Sequence, residues 1–361
     1  MKKFQLFSSL LVLVLMVTTL VSPAAAQAST PTSAHPQTFT VLVGSENSRL
    51  GVSIMSFFPR KVRVHVGDTV LWKANSFEIH TVTFLAGAPM PEFIIPAPSG
   101  QPSPLMINPM AGFPAVPDQG LYDGTTYVNS GIMSKEAGQI QTFSLTFTAE
   151  GTFEYVCIVH GMMMSGEIDV VSSSAKVLEP WMVQMQARRE ISQAWEKVPG
   201  VLKKAMKEIQ RPVHNPDGTT TYTVKVGYSS GEIDIMRFFP RRLNVKPGDT
   251  VIWDLSTSNV APHTVTFLNG TADPGLVLPV PQPNGPPLLL FNPAVLFPSQ
   301  NVISGLPLTD QGLFNSGLMN PAPVGPTSFS LKIGDVSGNL PYLCLLHDTS
   351  GMKGVLHVIS K

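Results

Sequence analysis

Cysteine and charge are both scarce in this sequence, and each scarcity excludes a class of protein. Two cysteines in 361 residues are too few for a disulfide-stabilised scaffold. Charged residues make up 13% of the chain, and 24 basic side chains balance 24 acidic ones. A nucleic-acid-binding protein needs a basic excess to neutralise phosphates, and this chain has none. The hydrophobic share of 43% is enough for a sizeable core and argues against disorder.

The N-terminus has the three parts of a secretory signal peptide. Two lysines precede an uncharged apolar run over 4–21, and small residues (SPAAAQA) follow at 22–28. We assign 1–28 to the signal peptide, with cleavage after Ala26 or Ala28; retention as a membrane anchor is the alternative. The mature protein is therefore predicted to be exported, periplasmic or extracellular, with no stable membrane span.

The rest of the chain repeats itself, in keeping with a length that suits about two domains. Residues 54–72 read IMSFFPRKVRVHVGDTVLW and residues 235–253 read IMRFFPRRLNVKPGDTVIW, while HTVTFL begins at His80 and again at His263. Period-two alternation and frequent turns occur in both copies, without helical periodicity. We predict an all-β fold with two β-sandwich domains.

A segment of different composition separates the two copies. We place a first repeat at 37–172, a second repeat at 220–361 and a linker at 173–219. Apolar residues recur at helical spacing in the linker, and residues 176–211 within it carry eight basic against four acidic side chains, which makes this the one clearly basic stretch of the chain. We predict a basic, partly helical linker that docks its apolar face on a sandwich and breaks into two helices at Pro199-Gly200. Binding to a partner or an anionic membrane is the alternative role.

Each repeat carries one cysteine in a C-x2-H motif, a methionine shortly after it and a second histidine far upstream. The candidate metal ligands are His80, Cys157, His160 and Met164 in the first repeat and His263, Cys344, His347 and Met352 in the second. One thiolate, two imidazoles and a thioether form the ligand set of a blue copper centre, trigonal His2Cys with a weak axial Met. We expect the cysteine to end a strand, so that the loop after it returns His and Met to the same metal.

The axial ligand of the first repeat is open among three residues, because its loop is one residue shorter than that of the second. Met162 and Met163 are alternatives to Met164. We favour Met164, because the residues that follow it match in register those that follow Met352. Met162 and Met163 are then expected to form an apolar rim around the site.

These motifs make each repeat similar to a cupredoxin, a blue (type 1) copper protein of the plastocyanin, pseudoazurin and amicyanin type. The resemblance lies in F-x-P-x-x-V/L-x-V-x-x-G-D-T-V-x-W, in H-T-V and in C-x2-H-x3/4-M-x-G, and it covers both repeats. It implies Greek-key β-sandwiches, two copper ions per chain held by the eight ligands named above, and electron transfer with redox protein partners. It also implies that the ring edges of His160 and His347 reach the surface, where we expect electrons to pass.

A copper enzyme is the main alternative, since two-domain multicopper oxidases and copper nitrite reductases also resemble tandem cupredoxins. A trinuclear cluster needs H-x-H and H-C-H motifs, and the sequence contains neither. A nitrite reductase places His directly before the Cys, where Val156 and Leu343 stand. We therefore predict an electron carrier without catalytic residues, with copper storage as a third possibility.

In each repeat, one proline-rich segment separates the upstream histidine from the cysteine. Nine prolines fall between 89 and 117, and nine fall between 274 and 307. Long connections of this kind are usually functional or disordered. We expect them either to cover the copper end of each sandwich or to form an interface between the repeats.

Overall fold

Short strands separated by turns account for most of the first repeat. The computed structural model describes residues 35–256, 261–320 and 325–359, so the predicted signal peptide lies outside the described residues. The first repeat contains β1 (Thr38–Asn47), β2 (Val52–Phe58), β3 (Lys61–His65), β4 (Thr69–Ala74), β5 (Thr83–Phe84), β6 (Ile94–Pro96), β7 (Leu105–Ile107), helix α1 (Pro109–Gly112), β8 (Pro114–Ala115), a 3-10 turn (Asp118–Gly120), β9 (Leu121–Tyr122), β10 (Val128–Ser130), β11 (Thr142–Phe147), β12 (Gly151–Cys157) and β13 (Gly161–Val171).

The second repeat has the same order of main strands and follows a long helix. The elements are α2 (Pro180–Met206), β14 (Val213–His214), β15 (Thr220–Ser230), β16 (Ile233–Phe239), β17 (Arg242–Val245), β18 (Thr250–Leu255), β19 (Thr266–Phe267), β20 (Val277–Val280), β21 (Leu288–Phe291), α3 (Pro293–Leu296), α4 (Gln300–Ile303), β22 (Phe314–Asn315), β23 (Ser328–Lys332), β24 (Gly338–Leu343) and β25 (Lys353–Val358).

Each repeat folds as a sandwich of two β-sheets, so the all-β fold class predicted from the sequence is confirmed. In the first repeat, the layer β2-β1-β4-β11-β9 faces the layer β3-β13-β12-β5-β10-β8. The second repeat places β16-β15-β18-β23 against β17-β25-β24-β19-β22. Alternate residues of β3 and β11 point inward, which is the period of two expected for half-buried strands. Trp72 and Trp253, at matching positions, are fully buried at the centres of the two cores.

The two sandwiches are joined edge to edge through their first hairpins. Strand β16 pairs antiparallel with β2, with Ile233 opposite Ile54 and Ile235 opposite Val52. This pairing merges one layer of each sandwich into a single ten-stranded sheet. Backbone groups that would be exposed on both edge strands are satisfied by the pairing.

The proline-rich segments form the second junction between the repeats. Strands β6 and β7 of the first repeat and β20 and β21 of the second build one four-stranded sheet, joined where Leu290 lies opposite Met106. Of the two expectations for these segments, an interface between the repeats is the one that the structure shows. This pairing is a second contact between the repeats, separate from that made by β2 and β16.

Helix α2 covers the back of the junction between the two sandwiches. Its buried face is apolar, and most of it packs with residues of β2 and β16 in a third hydrophobic core that belongs to neither sandwich alone. Trp195 also donates a hydrogen bond from Nε1 to Ser45 Oγ at 2.9 Å. The predicted docking of the linker on a sandwich is thus observed, although it docks on both. Among the described residues, no helix is both long and apolar enough to cross a membrane.

The predicted break at Pro199-Gly200 is wrong, because α2 runs through Pro199 without interruption. A proline inside a helix removes one backbone hydrogen bond and costs about 3 kcal/mol. Val198 and Val201, on either side of it, are both buried in the third core. Burial of a valine contributes on the order of 1.5–3 kcal/mol, so the two together offset the cost of the proline. Tertiary packing therefore overrides the local signal.

Replacing Pro199 by alanine should stabilise the protein. The variant restores an N–H donor inside the helix and removes a steric clash, so we expect the free energy of unfolding to rise by about 1–2 kcal/mol after allowance for the greater entropy of the unfolded chain. Pro180→Ala is the control, since Pro180 stands at the first turn of α2, where no hydrogen bond is lost. Urea unfolding of the two variants measures the effect; equal stabilities would contradict it.

Candidate metal centres

The first centre forms where β12 ends. Cys157 is the last residue of β12, and the turn after it brings His160 back, so that His160 Nδ1 lies 3.4 Å from Cys157 Sγ. His80, held by backbone pairing with Met133, places its Nδ1 3.2 Å from His160 Nδ1 and 4.0 Å from Cys157 Sγ. The three donor atoms converge on one point at the end of the first sandwich.

The second centre repeats this geometry closely. His347 Nδ1 lies 3.5 Å from Cys344 Sγ, and His263 Nδ1 lies 3.1 Å from His347 Nδ1 and 3.8 Å from Cys344 Sγ. Backbone pairing with Met319 holds His263 as Met133 holds His80. The loop that brings His347 back is closed by backbone hydrogen bonds from Cys344 to Met352 and from Met352 to His347.

Both cysteines are free thiols and fully buried. Burial opposes their ionisation, yet the neighbouring imidazoles hold the pKa of Cys157 and of Cys344 well below the ordinary value for a thiol. The thiolate of Cys157 in turn raises the pKa of His160 to about 10, against the effect of burial. Each sulfur also accepts a backbone N–H, from Thr81 at 3.3 Å and from Thr264 at 3.4 Å. The surroundings of both cysteines therefore favour the thiolate over the thiol.

The threonine side chains beside the upstream histidines hold the cysteine loops in place. Thr81 Oγ1 accepts the N–H of Ile158 at 2.8 Å, and Thr264 Oγ1 accepts the N–H of Leu345 at 2.9 Å. Both amides belong to the residue directly after the cysteine. The threonines therefore support the proposed ligands through hydrogen bonds to the neighbouring backbone.

The candidate methionines differ in exposure. Met164 and Met352 are fully buried in the same hydrophobic clusters as Cys157 and Cys344. Met162 and Met163 are 66% and 37% exposed, as expected for a rim. In the first repeat these residues bulge out of the β12–β13 hairpin, where the register shifts between Val156 and Cys157. Burial thus favours Met164 as the axial ligand.

The donor set fits copper. In each centre one thiolate and two imidazole Nδ1 atoms lie within 4.8 Å of one another, with a buried thioether in the surrounding core. Soft sulfur ligands suit Cu(I), and imidazole also suits Cu(II). Two of the other histidines form hydrogen bonds away from these centres: His65 Nε2 with the carbonyl of Ala175 at 3.0 Å, and His357 Nδ1 with Asn339 Oδ1 at 2.9 Å. Neither is part of the two donor sets.

The loop histidines do not present their ring edges to solvent, which corrects the expectation drawn from the resemblance to single-domain cupredoxins. The side chains of His160 and His347 are only 11% and 7% exposed. Their Nε2 atoms face the same carboxylate, that of Glu78, each at 3.8 Å from one of its oxygens. Glu78 therefore lies between the segments that follow Cys157 and Cys344, which are called the copper loops after their candidate ligands.

Sequence reasoning missed three residues near the first centre: Glu78, Glu46 and Gly44. Although burial opposes its ionisation, His347 and His160 lower the pKa of Glu78 to about 2. Gly44 has φ of +73°, and a Cβ there would lie 2.7 Å from His80 Nε2. A signal for Gly44 was present, since Gly44 and Gly227 recur at the same β-bulge of the two repeats.

Removal of the Thr81 hydroxyl should destabilise the first centre even without metal. Thr81→Val keeps the shape but leaves the buried N–H of Ile158 without an acceptor, which lowers the free energy of unfolding by about 1–3 kcal/mol. Thr152→Val, at an exposed position of β12, is the control and should cost little. Urea unfolding of the copper-free proteins measures both. Equal losses in the two variants would show that Thr81 is an ordinary strand residue.

Comparison with known proteins finds a family match for the first repeat. Residues 45–171 match the family described as copper binding proteins, plastocyanin/azurin family. Among solved structures, an oxidised amicyanin variant matches with 21% identity, 37% of this chain and 82% of that chain covered, and a TM-score of 0.22. A reduced amicyanin variant gives 20% identity, coverage of 39% and 89%, and a TM-score of 0.23. No curated protein sequence matches the chain.

Proposed function

We propose that this chain, a tandem cupredoxin, transfers electrons through two mononuclear copper sites, one in each repeat. The observation that carries the proposal is the double occurrence of a buried triad in which one sulfur and two Nδ1 atoms converge. The ligands would be His80, Cys157, His160 and Met164 in one site, with His263, Cys344, His347 and Met352 in the other. Bound copper supplies a one-electron couple between Cu(I) and Cu(II).

The contribution of the protein is to hold these ligands in place before any metal binds. Ser76 Oγ lies 2.9 Å from His80 Nε2 and fixes the orientation of that ring. The two threonines fix the cysteine loops, and burial excludes water from the sulfurs. Ligands fixed in this way need little rearrangement when the charge of the site changes, which suits rapid electron exchange.

An electron carrier fits the arrangement better than an oxidoreductase. Among the described residues, the two triads are the clusters suited to a metal, and the cysteine and the upstream histidine of each are buried. A catalytic metal keeps a coordination position open to substrate. The proposal includes export, since the N-terminal sequence has the pattern of a signal peptide, and redox partners outside the cytoplasm. It also takes 37–172 and 220–361 as the two copper-binding domains.

Copper content and colour test the proposal directly. We expect two copper ions per chain and an intense blue thiolate-to-copper band. Cys157→Ser and Cys344→Ser should each remove one copper ion and about half of the band, because thiolate is the indispensable soft ligand. Metal analysis and visible spectroscopy measure this. A single variant that stays fully blue, or one that loses all colour, would contradict two separate sites.

The choice of axial ligand is tested by reduction potentials. A weak axial Met tunes the potential more than it contributes to affinity. Met164→Gln and Met352→Gln should therefore lower the potential of their own site while copper stays bound. Met163→Gln, which changes an exposed residue of the same loop, is the matched control and should leave both potentials in place. Redox titration of the blue band distinguishes them, and a shift in the Met163 variant alone would refute the assignment.

A further inference from the structure

One carboxylate serves both metal centres. Glu78 Oε1 lies 3.8 Å from His160 Nε2, and Glu78 Oε2 lies 3.8 Å from His347 Nε2. The Glu78 side chain is 11% exposed, so little water competes for it. A buried carboxyl group needs hydrogen-bonding partners, and the two imidazole rings face it from opposite repeats.

Each loop histidine connects its own centre to this carboxylate. The Nδ1 atom of His160 faces Cys157 Sγ at 3.4 Å, while its Nε2 faces Glu78. His347 likewise directs Nδ1 to Cys344 Sγ at 3.5 Å and Nε2 to Glu78. Copper held by Nδ1 would leave the proton of each ring on Nε2, the ring atom that faces the carboxylate. The groups form a continuous series from one thiolate to the other.

The position of Glu78 is fixed by contacts from both repeats. Glu46 Oε2 accepts the backbone N–H groups of Phe77 at 3.0 Å and of Glu78 at 3.2 Å, and the hydroxyl of Ser350 at 3.2 Å. Ser350 lies in the copper loop of the second repeat. Beside it, a Cβ on Gly351 would come within 1.9 Å of the carbonyl oxygen of Ser48, so no other residue allows the loops to approach this closely.

The carboxylate is not duplicated with the rest of the site. Glu78 stands two residues before His80, and the corresponding position two residues before His263 is Ala261. Every proposed ligand recurs in both repeats, but this acidic group occurs once and contacts both. Its role therefore belongs to the pair of centres and not to one cupredoxin site.

We propose that Glu78 couples the two copper sites, accepting the Nε2–H groups of His160 and His347 on its two oxygens and thereby forming the path for electron exchange between them. The inference rests on the proposed function. One electron moves, so that one site is oxidised and the other reduced by one unit. Both Nε2 protons stay in place, and no other reactant is needed. The present 3.8 Å separations are longer than hydrogen bonds, and the coupling requires them to shorten when the sites are loaded.

Two substitutions at Glu78 distinguish the effect of its charge from the effect of its reach to both histidines, which is the proposed bridge. Glu78→Gln removes the charge and keeps one oxygen acceptor, while Glu78→Asp keeps the charge and shortens the reach by one methylene. Glu232→Gln is the matched control, because Glu232 also joins the repeats through its ion pair with Arg60 at 3.0 Å, and it pairs with Lys197 of α2 at 3.1 Å. Two bound copper ions and a normal blue band in each variant show that it is folded and loaded.

The hydrogen bonds are tested by NMR of the diamagnetic Cu(I) protein labelled in its histidines. We expect the Nε2–H protons of both His160 and His347 to exchange slowly with water, and at least one to exchange more than about tenfold faster in each Glu78 variant. The Glu232 variant should match the parent. Rapid exchange of either proton in the parent protein, or no change in the Glu78 variants, would overturn the shared acceptor.

Electron exchange is tested by flash reduction in a Met352→Gln background, where unequal potentials give the redistribution a direction. We expect a first-order phase that is independent of protein concentration and more than about tenfold slower with Glu78→Gln or Glu78→Asp, but unchanged with Glu232→Gln. If Glu78→Asp exchanged electrons as fast as the parent, charge and not the bridge would be responsible. A protein that binds no blue copper would refute the proposed function; intact blue sites with unaltered exchange would refute only the role of Glu78.

Discussion

The antiparallel pairing of β2 with β16 is the contact on which the arrangement of the two centres depends. Each strand would otherwise be the open edge of its own sheet, and the pairing satisfies both rows of backbone groups. It also fixes how the two sandwiches lie relative to each other, because it places Ile54 opposite Ile233 and both side chains lie in the third core. The turn before β2 then meets the second copper loop, where Gly351 packs on Ser48.

The features set by short-range spacing could be predicted from the sequence. Alternation in β3 and β11, the repeated HTVTFL motif and the C-x2-H loops each depend on neighbours within a few residues. These patterns predicted the sandwiches, the histidine-bearing segments and the approach of His160 to Cys157. The two His-to-Met loops differ in length by one residue, yet the residues that follow Met164 could be aligned with those that follow Met352. The burial of Met164 agrees with that alignment.

The features set by contact between the repeats could not be predicted in this way. Pro199 is a helix breaker by any local criterion, and only the core formed by both repeats explains why α2 continues through it. Glu78 is one acidic residue among many in the sequence, and its second partner, His347, lies in the other repeat. The expectation of solvent-exposed histidine rings failed for the same reason, since it came from proteins with a single sandwich.

Shared parts change what the internal duplication means. Two copies of a gene segment are at first redundant, and either copy can drift while the other preserves function. Here Glu78 comes from one copy only, the four-stranded sheet takes two strands from each, and α2 packs on both. The two repeats are therefore no longer functionally redundant. The chain resembles a heterodimer whose two subunits are joined in one polypeptide. A substitution at the junction between the repeats is therefore expected to affect both candidate metal centres.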